Sequence, residues 1–307
     1  MEQFHDGQYV WLRSRHRVGQ AYLHADDDGY GVSLRRGRAS LHAAWAVHVQ
    51  NGYLLLHSAS YGRYLAATTT PAPSGHYGFR VELRNYDEPD LEAIMWEVLD
   101  MASTVNDVLL RNVNRRYLRA NGKCFRWNNR VSVDKFDNVG TMMHWSVKPI
   151  PARQGVLGLP GPTRPSLGDN LEAFVRTVPE WRVIRYVQAS DDGVYTEEGW
   201  STFQFRGRSV YNLRDELAMY YVHFLDLIMC VRAGRYGRLT PLVQDLPRNL
   251  PGDGYGDTIE IVVIRVGTPG ESLSLYVCNS LLISFSRQCA ATPGCQRTVV
   301  KRSERES

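Results

Sequence analysis

The sequence has few cysteines, almost no lysine and no long apolar run. Its five cysteines are an odd number and include no Cys-x-x-Cys pair, so we expect free thiols rather than a disulfide framework or a thiolate zinc site. No apolar run reaches the roughly 18 residues that would span a bilayer, and we expect no membrane span. The opening Met-Glu-Gln-Phe-His lacks the basic and apolar regions of a secretory signal, which predicts a cytoplasmic protein.

The charge is nearly balanced, and arginine supplies most of the basic residues. Lys plus Arg number 36 and Asp plus Glu 32, which gives a net charge of +4. This is far below the charge of a dedicated nucleic-acid-binding protein. Arginine binds carboxylates and phosphates through a planar, bidentate fork. A codon bias in the source genome gives the same arginine excess, and we favour that explanation. Hydrophobic residues at 43% predict well-filled cores.

The first half of the chain contains one motif three times. Each copy has an apolar opening strand, a Tyr-Leu strand, a strand of the type Val-x-Leu or Val-x-Val, and a tryptophan strand. The tryptophans Trp45, Trp96 and Trp145 lie 51 and 49 residues apart. Three copies of four short strands predict a β-trefoil with one tryptophan per copy in a shared core layer. A propeller needs at least a fourth copy, and the repeat stops after Pro149.

These motifs resemble a known family. The strand sequences GRYLA (62–66) and RRYLRA (115–120) resemble those of fascin-like trefoils. The sequences FRVEL (79–83) and GTMMHW (140–145) resemble more closely a plant family catalogued as domain of unknown function 569. That family is grouped with the actin-cross-linking, fascin-like trefoils. The resemblance implies a fascin-like β-trefoil over residues 1–150; it implies no established biochemical activity.

The second half predicts a smaller domain. Residues 151–179 are rich in proline and glycine and predict a linker. Residues 180–266 follow the order ββαββ, which predicts a β-grasp (ubiquitin-like) α+β domain, and motifs of the same plant family recur there. Asn212 is the expected N-cap of its helix. Residues 267–307 predict an irregular or disordered tail. The fold class is therefore mainly β: an N-terminal β-trefoil followed by a small α+β domain.

No motif for catalysis, a cofactor or a metal is found in the sequence. The glycine-rich stretch 252–256 follows a proline rather than a strand, and 270–274 lacks the second glycine of a nucleophile elbow. Residues 26–29, Asp-Asp-Asp-Gly, lack the last oxygen ligand of a calcium loop and predict a hairpin turn. The histidines include no metal-binding pair, and His24, His57 and His144 are expected to be packed scaffold residues. We therefore expect a non-enzymatic protein without cofactor.

The third repeat is the basic part of the trefoil. Residues 101–150 contain nine basic and three acidic residues, whereas residues 51–100 contain three and seven. Such a surface steers acidic partners, although a merely solvated strand face is the simpler interpretation. The family resemblance makes F-actin the leading specific partner, with another acidic protein as an alternative. One basic patch allows filament binding, whereas cross-linking needs a second site or a dimer. The candidate contact residues are Arg111, Arg115, Arg116, Arg119, Arg126 and Arg130.

A glycan-binding or small-ligand-binding trefoil is the second hypothesis. Ricin-type lectin trefoils carry Gln-x-Trp in each repeat, but here the residues two before the tryptophans are Ala43, Ile94 and Met143. A sugar could still stack on an exposed tyrosine or tryptophan. If mutation of exposed aromatic residues abolishes binding and mutation of the arginines does not, this hypothesis is favoured over the first. An enzyme is the third hypothesis and requires a cluster of histidines and carboxylates in a cleft.

Overall fold

The computed structural model describes two domains. The described residues are 3–16, 21–36, 41–74, 76–86, 90–100, 107–121, 130–135, 140–150, 181–220, 227–234, 237–246 and 258–269. The predicted linker, the predicted tail from residue 270 onward and Arg126 lie outside these ranges.

In the described residues, the first domain has twelve strands in three repeats of four. The strands are β1 (Tyr9–Ser14), β2 (Ala21–Ala25), β3 (Val32–Arg36), β4 (Ala44–Gln50), β5 (Tyr53–Ser58), β6 (Tyr64–Pro71), β7 (Phe79–Arg84), β8 (Trp96–Asp100), β9 (Asp107–Asn112), β10 (Tyr117–Ala120), β11 (Val131–Asp134) and β12 (Trp145–Ile150). The first and last strands of each repeat pair around a closed six-stranded barrel, in which β12 returns to β1 with Tyr9 opposite Ile150. Closure removes the open sheet edges of the barrel.

The three tryptophans fill one core layer, as the repeat predicts. Trp45, Trp96 and Trp145 are each 0% exposed. Each follows a single 3-10 turn, formed by Leu41–Ala43, Leu91–Ile94 and Thr141–Met143. Each indole Nε1 donates a hydrogen bond to the leucine carbonyl of the Tyr-Leu strand in its own repeat, at 3.2, 2.9 and 3.0 Å. The indoles therefore fill the core and also tie the fourth strand of each repeat to the second.

The third strands of the repeats meet at one end of the barrel. Strand β11 pairs with β7, where Ser132 lies opposite Arg80, and an isolated bridge joins Ser33 to Arg130. A second bridge joins Gly31 to Glu82. These contacts bring strands from all three repeats together and close this end of the core. They also place the basic residues of the third repeat next to residues of the second.

The second domain has the predicted β-grasp topology. Its elements are β13 (Trp181–Gln188), β14 (Ser201–Arg206), α1 (Val210–Tyr220), β15 (Leu227–Arg232), β16 (Leu239–Pro241) and β17 (Thr258–Arg265). The sheet order is β14-β13-β17-β15-β16, with β13 and β17 parallel at its centre. Val210, Leu213 and Leu217 are the buried residues of α1, and their spacing of three and four places them on one face toward the sheet.

The prediction that Asn212 is the N-cap of this helix is wrong. The helix begins at Val210, and the Ser209 hydroxyl accepts a 3.4 Å hydrogen bond from the Asn212 backbone N–H. The Asp245 carboxylate, which is distant in sequence, accepts a 3.0 Å bond from the Val210 N–H. Val210 is fully buried and belongs to the apolar face of the helix, so burial extends the helix one turn beyond the start that the local sequence indicates.

Candidate basic–aromatic surface

The β6–β7 hairpin of the second repeat lies against the third repeat. Strand pairing places Phe79 opposite Val133 and Arg80 opposite Ser132. The resulting group of cationic and aromatic side chains is called here the basic–aromatic surface. Its residues are Tyr77, Phe79, Arg80, Arg115, Arg116, Arg119 and Arg130. Four of the six predicted contact residues belong to it.

Arg116 joins two repeats. Its guanidinium carbon lies 3.9 Å from the centroid of the Phe79 ring, and its NH1 donates a 2.9 Å hydrogen bond to the Thr68 carbonyl. Arg63 has the same place in the second repeat, where it lies 4.6 Å from the Tyr30 ring centroid. Cation–π contact and a main-chain hydrogen bond thus hold each arginine over the preceding repeat. Arg116 contributes to the positive potential of the surface from a fixed position.

Arg119 lies beneath the surface. Its residue is 8% exposed, its guanidinium is 5.5 Å from the Tyr77 ring centroid, and NH2 lies 3.9 Å from the Met142 sulfur. Burial lowers the pKa of Arg119, and the Asp134 carboxylate partly opposes that effect. The side chain stays charged at neutral pH, because arginine titrates far above it. Arg119 is therefore largely covered, unlike the exposed contact residue that the sequence predicts.

Four residues of this group are exposed: Tyr77, Arg80, Arg115 and Arg130. Tyr77 is 72% exposed. Arg80 is oriented by a 3.2 Å hydrogen bond from its Nε to the Pro71 carbonyl. His76 lies nearby, and burial followed by the charges of Arg130 and Arg119 lowers its pKa. Its imidazole is therefore neutral at pH 7, in a region where cations predominate.

Arg111 faces a different environment. It lies opposite Glu97 on the β8–β9 pair, and its NH2 and Nε are 2.6 and 2.7 Å from the Glu97 carboxylate. Hydrogen bonding to Glu97 is the main cause that raises the pKa of Arg111. The ion pair neutralises the cation locally. Arg111 therefore stands apart from the basic–aromatic surface.

The count of charged residues in the sequence does not identify the residues that the second repeat contributes to the basic–aromatic surface. Tyr77, Phe79 and Arg80 come from the second repeat, whose composition is acidic, so a charge balance by sequence window does not select them. An alignment of the third strands of the repeats contains the signal, because it places Arg80 at the same position as Arg130. Neighbouring repeats in a trefoil bring such positions together.

The acidic turn near residue 26 is a hairpin turn, as predicted. The Asp28 carboxylate accepts hydrogen bonds from the backbone N–H groups of Tyr30 and Gly31, at 2.9 and 2.7 Å. The Asp26 carboxylate accepts a 2.6 Å bond from the Ser33 hydroxyl. Within the described ranges, no group of three or more His, Cys, Asp or Glu side chains could hold a metal ion. No helix in those ranges is long and apolar enough to cross a membrane.

Comparison with protein families decides the assignment of both domains. The model described as "Beta-trefoil domain of unknown function (DUF569)" matches residues 1–147. The model described as "DUF569 associated ubiquitin-like domain" matches residues 180–264. The chain belongs to this two-domain DUF569 family. The predicted family and the predicted fold class are thereby confirmed, and no specific function comes with them. Among curated proteins, none matches this DUF569 chain.

Solved structures with low identity match slightly less than half of the DUF569 chain. The designed three-fold symmetric protein ThreeFoil is 18% identical over 46% of this chain and 98% of its own, with a TM-score of 0.38. A ricin B-like lectin from Macrolepiota procera in complex with lactose is 16% identical over 47% and 96%, with a TM-score of 0.38. The SDF2-like protein from Arabidopsis thaliana is 14% identical over 46% and 92%, with a TM-score of 0.39. No functional statement about this chain follows from these values.

Proposed function

We propose that this protein is a non-enzymatic, cytoplasmic binding protein that recognises an acidic protein surface, with F-actin as the specific candidate. The observation that supports the proposal is the placement of third-repeat arginines on aromatic rings of the second repeat, where Arg116 lies over Phe79 and Arg119 over the 72% exposed ring of Tyr77. Arg80 on β7, Arg115 before β10 and Arg130 before β11 are exposed. Arginine pairs with carboxylates in a bidentate way, and an exposed aromatic ring supplies the apolar anchor that binding surfaces commonly use.

Binding to such a surface is expected to depend on salt. The three arginines are solvent-exposed, and interactions between exposed charges are screened over about 8 Å at physiological ionic strength. Raising the salt concentration therefore weakens attraction to an acidic filament. One basic–aromatic surface per chain permits decoration of a filament; bundling requires a second copy of the surface in the same assembly.

Co-sedimentation of the full chain with F-actin tests this proposal. Pelleting at high centrifugal speed, decreasing between 50 and 200 mM salt, is the expected result, with no additional pelleting at low speed. The double variant Arg115→Ala/Arg130→Ala should raise the Kd at least about tenfold, which corresponds to about 1.4 kcal/mol. Arg206→Ala/Arg265→Ala removes two exposed cations from the second domain and is the matched control. Equal binding by both double variants, or no pelleting of the wild type, contradicts the proposal.

A glycan or other small ligand remains the second candidate because Tyr77 is exposed so strongly. A sugar ring packs on such a face through apolar contacts that need no charge. Tyr77→Ala would then abolish binding on a glycan array, whereas Arg115→Ala/Arg130→Ala would leave it nearly unchanged. The opposite pattern, with loss through the arginine pair and salt dependence, favours the acidic protein partner.

A further inference from the structure

The second domain packs against the first and second repeats of the trefoil. Ala233 is fully buried in a cluster with Leu55, Tyr64 and Ile94 of the trefoil. The Ala233 carbonyl accepts a 2.7 Å hydrogen bond from the Tyr86 N–H. The two domains therefore share a buried interface, with main-chain hydrogen bonding across it.

Glycine allows a close approach at this interface. Gly62 has a φ of +63°, and a Cβ atom built there would lie 2.5 Å from the Val231 Cγ2. Next to it, Arg238 of the second domain is 7% exposed and pairs with the Asp6 carboxylate of the trefoil at 2.8 Å. Tyr9 is half-buried, and desolvation of its phenol raises the pKa of Tyr9. The charge of Cys230 also raises this pKa, whereas Arg238 lowers it. The interface thus contains one buried cation with its carboxylate.

Four histidines of the trefoil line or support the same interface. They form two pairs of adjacent rings: His24 with His42, at 5.1 Å between centroids, and His48 with His57, at 5.3 Å. His48 and His57 are 7% and 0% exposed, and the His48 Nδ1 is 2.9 Å from the Tyr64 hydroxyl. This set of four histidines is called here the histidine interface.

The outer pair lies among groups of both signs. His42 Nε2 is 3.0 Å from the Gln244 amide nitrogen of the second domain and 3.8 Å from the Asp27 carboxylate. Burial is the main cause that lowers the pKa of His42; Arg35 and Arg208 lower it further, whereas Asp27 and Asp245 raise it. Burial also lowers the pKa of His24, to about 4, and the charges of His42 and Arg35 lower it further. The Asp27 charge and a backbone hydrogen bond act in the opposite direction.

The inner pair faces a cation. Burial lowers the pKa of His48 well below its usual range, and the charges of His57 and Arg238 lower it further. Burial likewise lowers the pKa of His57 to about 3, and the charge of Arg238 adds to the effect. Tyr64 contacts both rings and is neutral at acidic pH. Asp6, the carboxylate found beside Arg238, is already paired with it.

We propose that the histidine interface is a clasp that holds the ubiquitin-like domain on the trefoil at neutral pH and releases it on acidification. A proton on His48 or His57 adds a second buried cation beside Arg238, and a buried cation without a matching carboxylate is strongly unfavourable. Separation of the domains lets water solvate the imidazolium. His42 is a weaker trigger, because Asp27 and Asp245 partly compensate its charge.

The clasp predicts that the interface opens before either core unfolds. Trp45, Trp96 and Trp145 lie in the trefoil core, and β13 with β17 forms the centre of the second domain. Of these elements, only the strand of Trp45, β4, carries a residue of the histidine interface, His48. Below the ordinary histidine pKa near 6.5, each buried imidazole favours the open state by up to tenfold per pH unit.

The proposal is tested by amide hydrogen exchange of the full chain at pH 7 and at pH 4.5. The measured rates are corrected for the intrinsic pH dependence of exchange. At pH 4.5, we expect the Tyr86 amide, which donates its hydrogen bond to the Ala233 carbonyl across the interface, to exchange at least tenfold faster. The tryptophan indole N–H groups and the amides of β13 and β17 should stay protected. Unchanged protection at the interface, or loss of protection in all these groups together, overturns the clasp.

A variant with non-titrating rings isolates the cause. His48→Asn keeps a polar partner for the Tyr64 hydroxyl, and His57→Phe keeps an aromatic ring; together they should abolish most of the acid-induced exchange. His76→Asn is the matched control, because His76 also has a lowered pKa but lies next to the basic–aromatic surface. If the double variant opens with acid as the wild type does, the clasp is wrong. NMR titration of the wild-type imidazoles is a second test that needs no variant. If His48 and His57 titrate near pH 6.5 while the interface stays closed, the clasp is wrong.

Discussion

Replacement of Trp96 by phenylalanine tests whether the tryptophans join strands as well as fill the core. Trp96 is 0% exposed, and its Nε1 donates a 2.9 Å hydrogen bond to the Leu65 carbonyl. Phenylalanine occupies part of the same space but has no ring N–H. The variant therefore removes one donor from a buried carbonyl and leaves a gap where the larger indole packed.

Both losses can be given a magnitude. A buried polar group that loses its partner costs about 1–3 kcal/mol. Partial loss of an aromatic side chain costs less than the roughly 3–5 kcal/mol of complete truncation to alanine. We expect Trp96→Phe to lower the free energy of unfolding by about 3 kcal/mol. For a domain of about 150 residues, this corresponds to a Tm lower by roughly 6–12 °C.

Urea unfolding of the full chain, followed by far-UV circular dichroism, measures this loss. Trp181→Phe is the matched control, because Trp181 is 62% exposed and exposed substitutions usually change stability by less than about 0.5 kcal/mol. Trp45→Phe and Trp145→Phe should cost about as much as Trp96→Phe, since all three indoles make the equivalent bond. A Trp96→Phe variant as stable as Trp181→Phe would refute the role assigned to the indole bond.

Two further predictions concern a glycine and a histidine of the trefoil. Gly78→Ala should lower the free energy of unfolding by about 3 kcal/mol or more, because φ is +85° and a Cβ would lie 2.2 Å from the Val133 carbonyl oxygen. Gly52→Ala, with φ +83° but no atom within 4 Å of its Cβ, should cost only about 1 kcal/mol in the same urea assay. For His57, the folded pKa of about 3 lies below the unfolded value of 6.5. The unfolded chain therefore takes up the proton first, and stability falls as the pH drops from about 6.5 toward 3. Between pH 7 and 4.5 this loss is about 2–3 kcal/mol, measurable as the pH dependence that His57→Phe removes; an equal dependence in both proteins would contradict it.

Local patterns determine most of the fold. The repeated tryptophans and Tyr-Leu pairs predict twelve strands, and strand order alone predicts the ubiquitin-like topology. The beginning of α1 could not be predicted in the same way, because Asp245 from another part of the domain helps to cap it. The domain interface is equally hidden in the sequence. Asp6 and Arg238 are 232 positions apart, and neither carries a local signal that it pairs with the other.

The candidate site shows what charge counting can and cannot predict. A count over the third repeat correctly indicates a basic region, since Arg115 and Arg130 are exposed there. It treats Arg116 and Arg119 as equivalent to them, although one stacks on Phe79 and the other is buried. A count has no information on which face of a strand a residue occupies, or on contacts between repeats. Comparison among repeats adds part of this information, because Arg63 and Arg116 make the same kind of contact.

The packing of the second domain bears on which surfaces are open to partners. The helix-free face of its sheet contains Ile228, Cys230 and Val262, and Tyr195 and Trp200 pack over it. Arg232 reinforces this cover, since it bonds to Glu197 and Glu260 and lies 5.6 Å from each of the two aromatic ring centroids.

The strand that supplies part of that covered face, β15, continues into Ala233, which is buried against the trefoil. The second domain thus packs against the first and second repeats. Tyr77 and Arg130, at the junction with the third repeat, stay exposed. The histidine interface and the basic–aromatic surface share no residue. Release of the clasp should consequently leave partner binding through the basic–aromatic surface intact, so that the two proposals can fail independently.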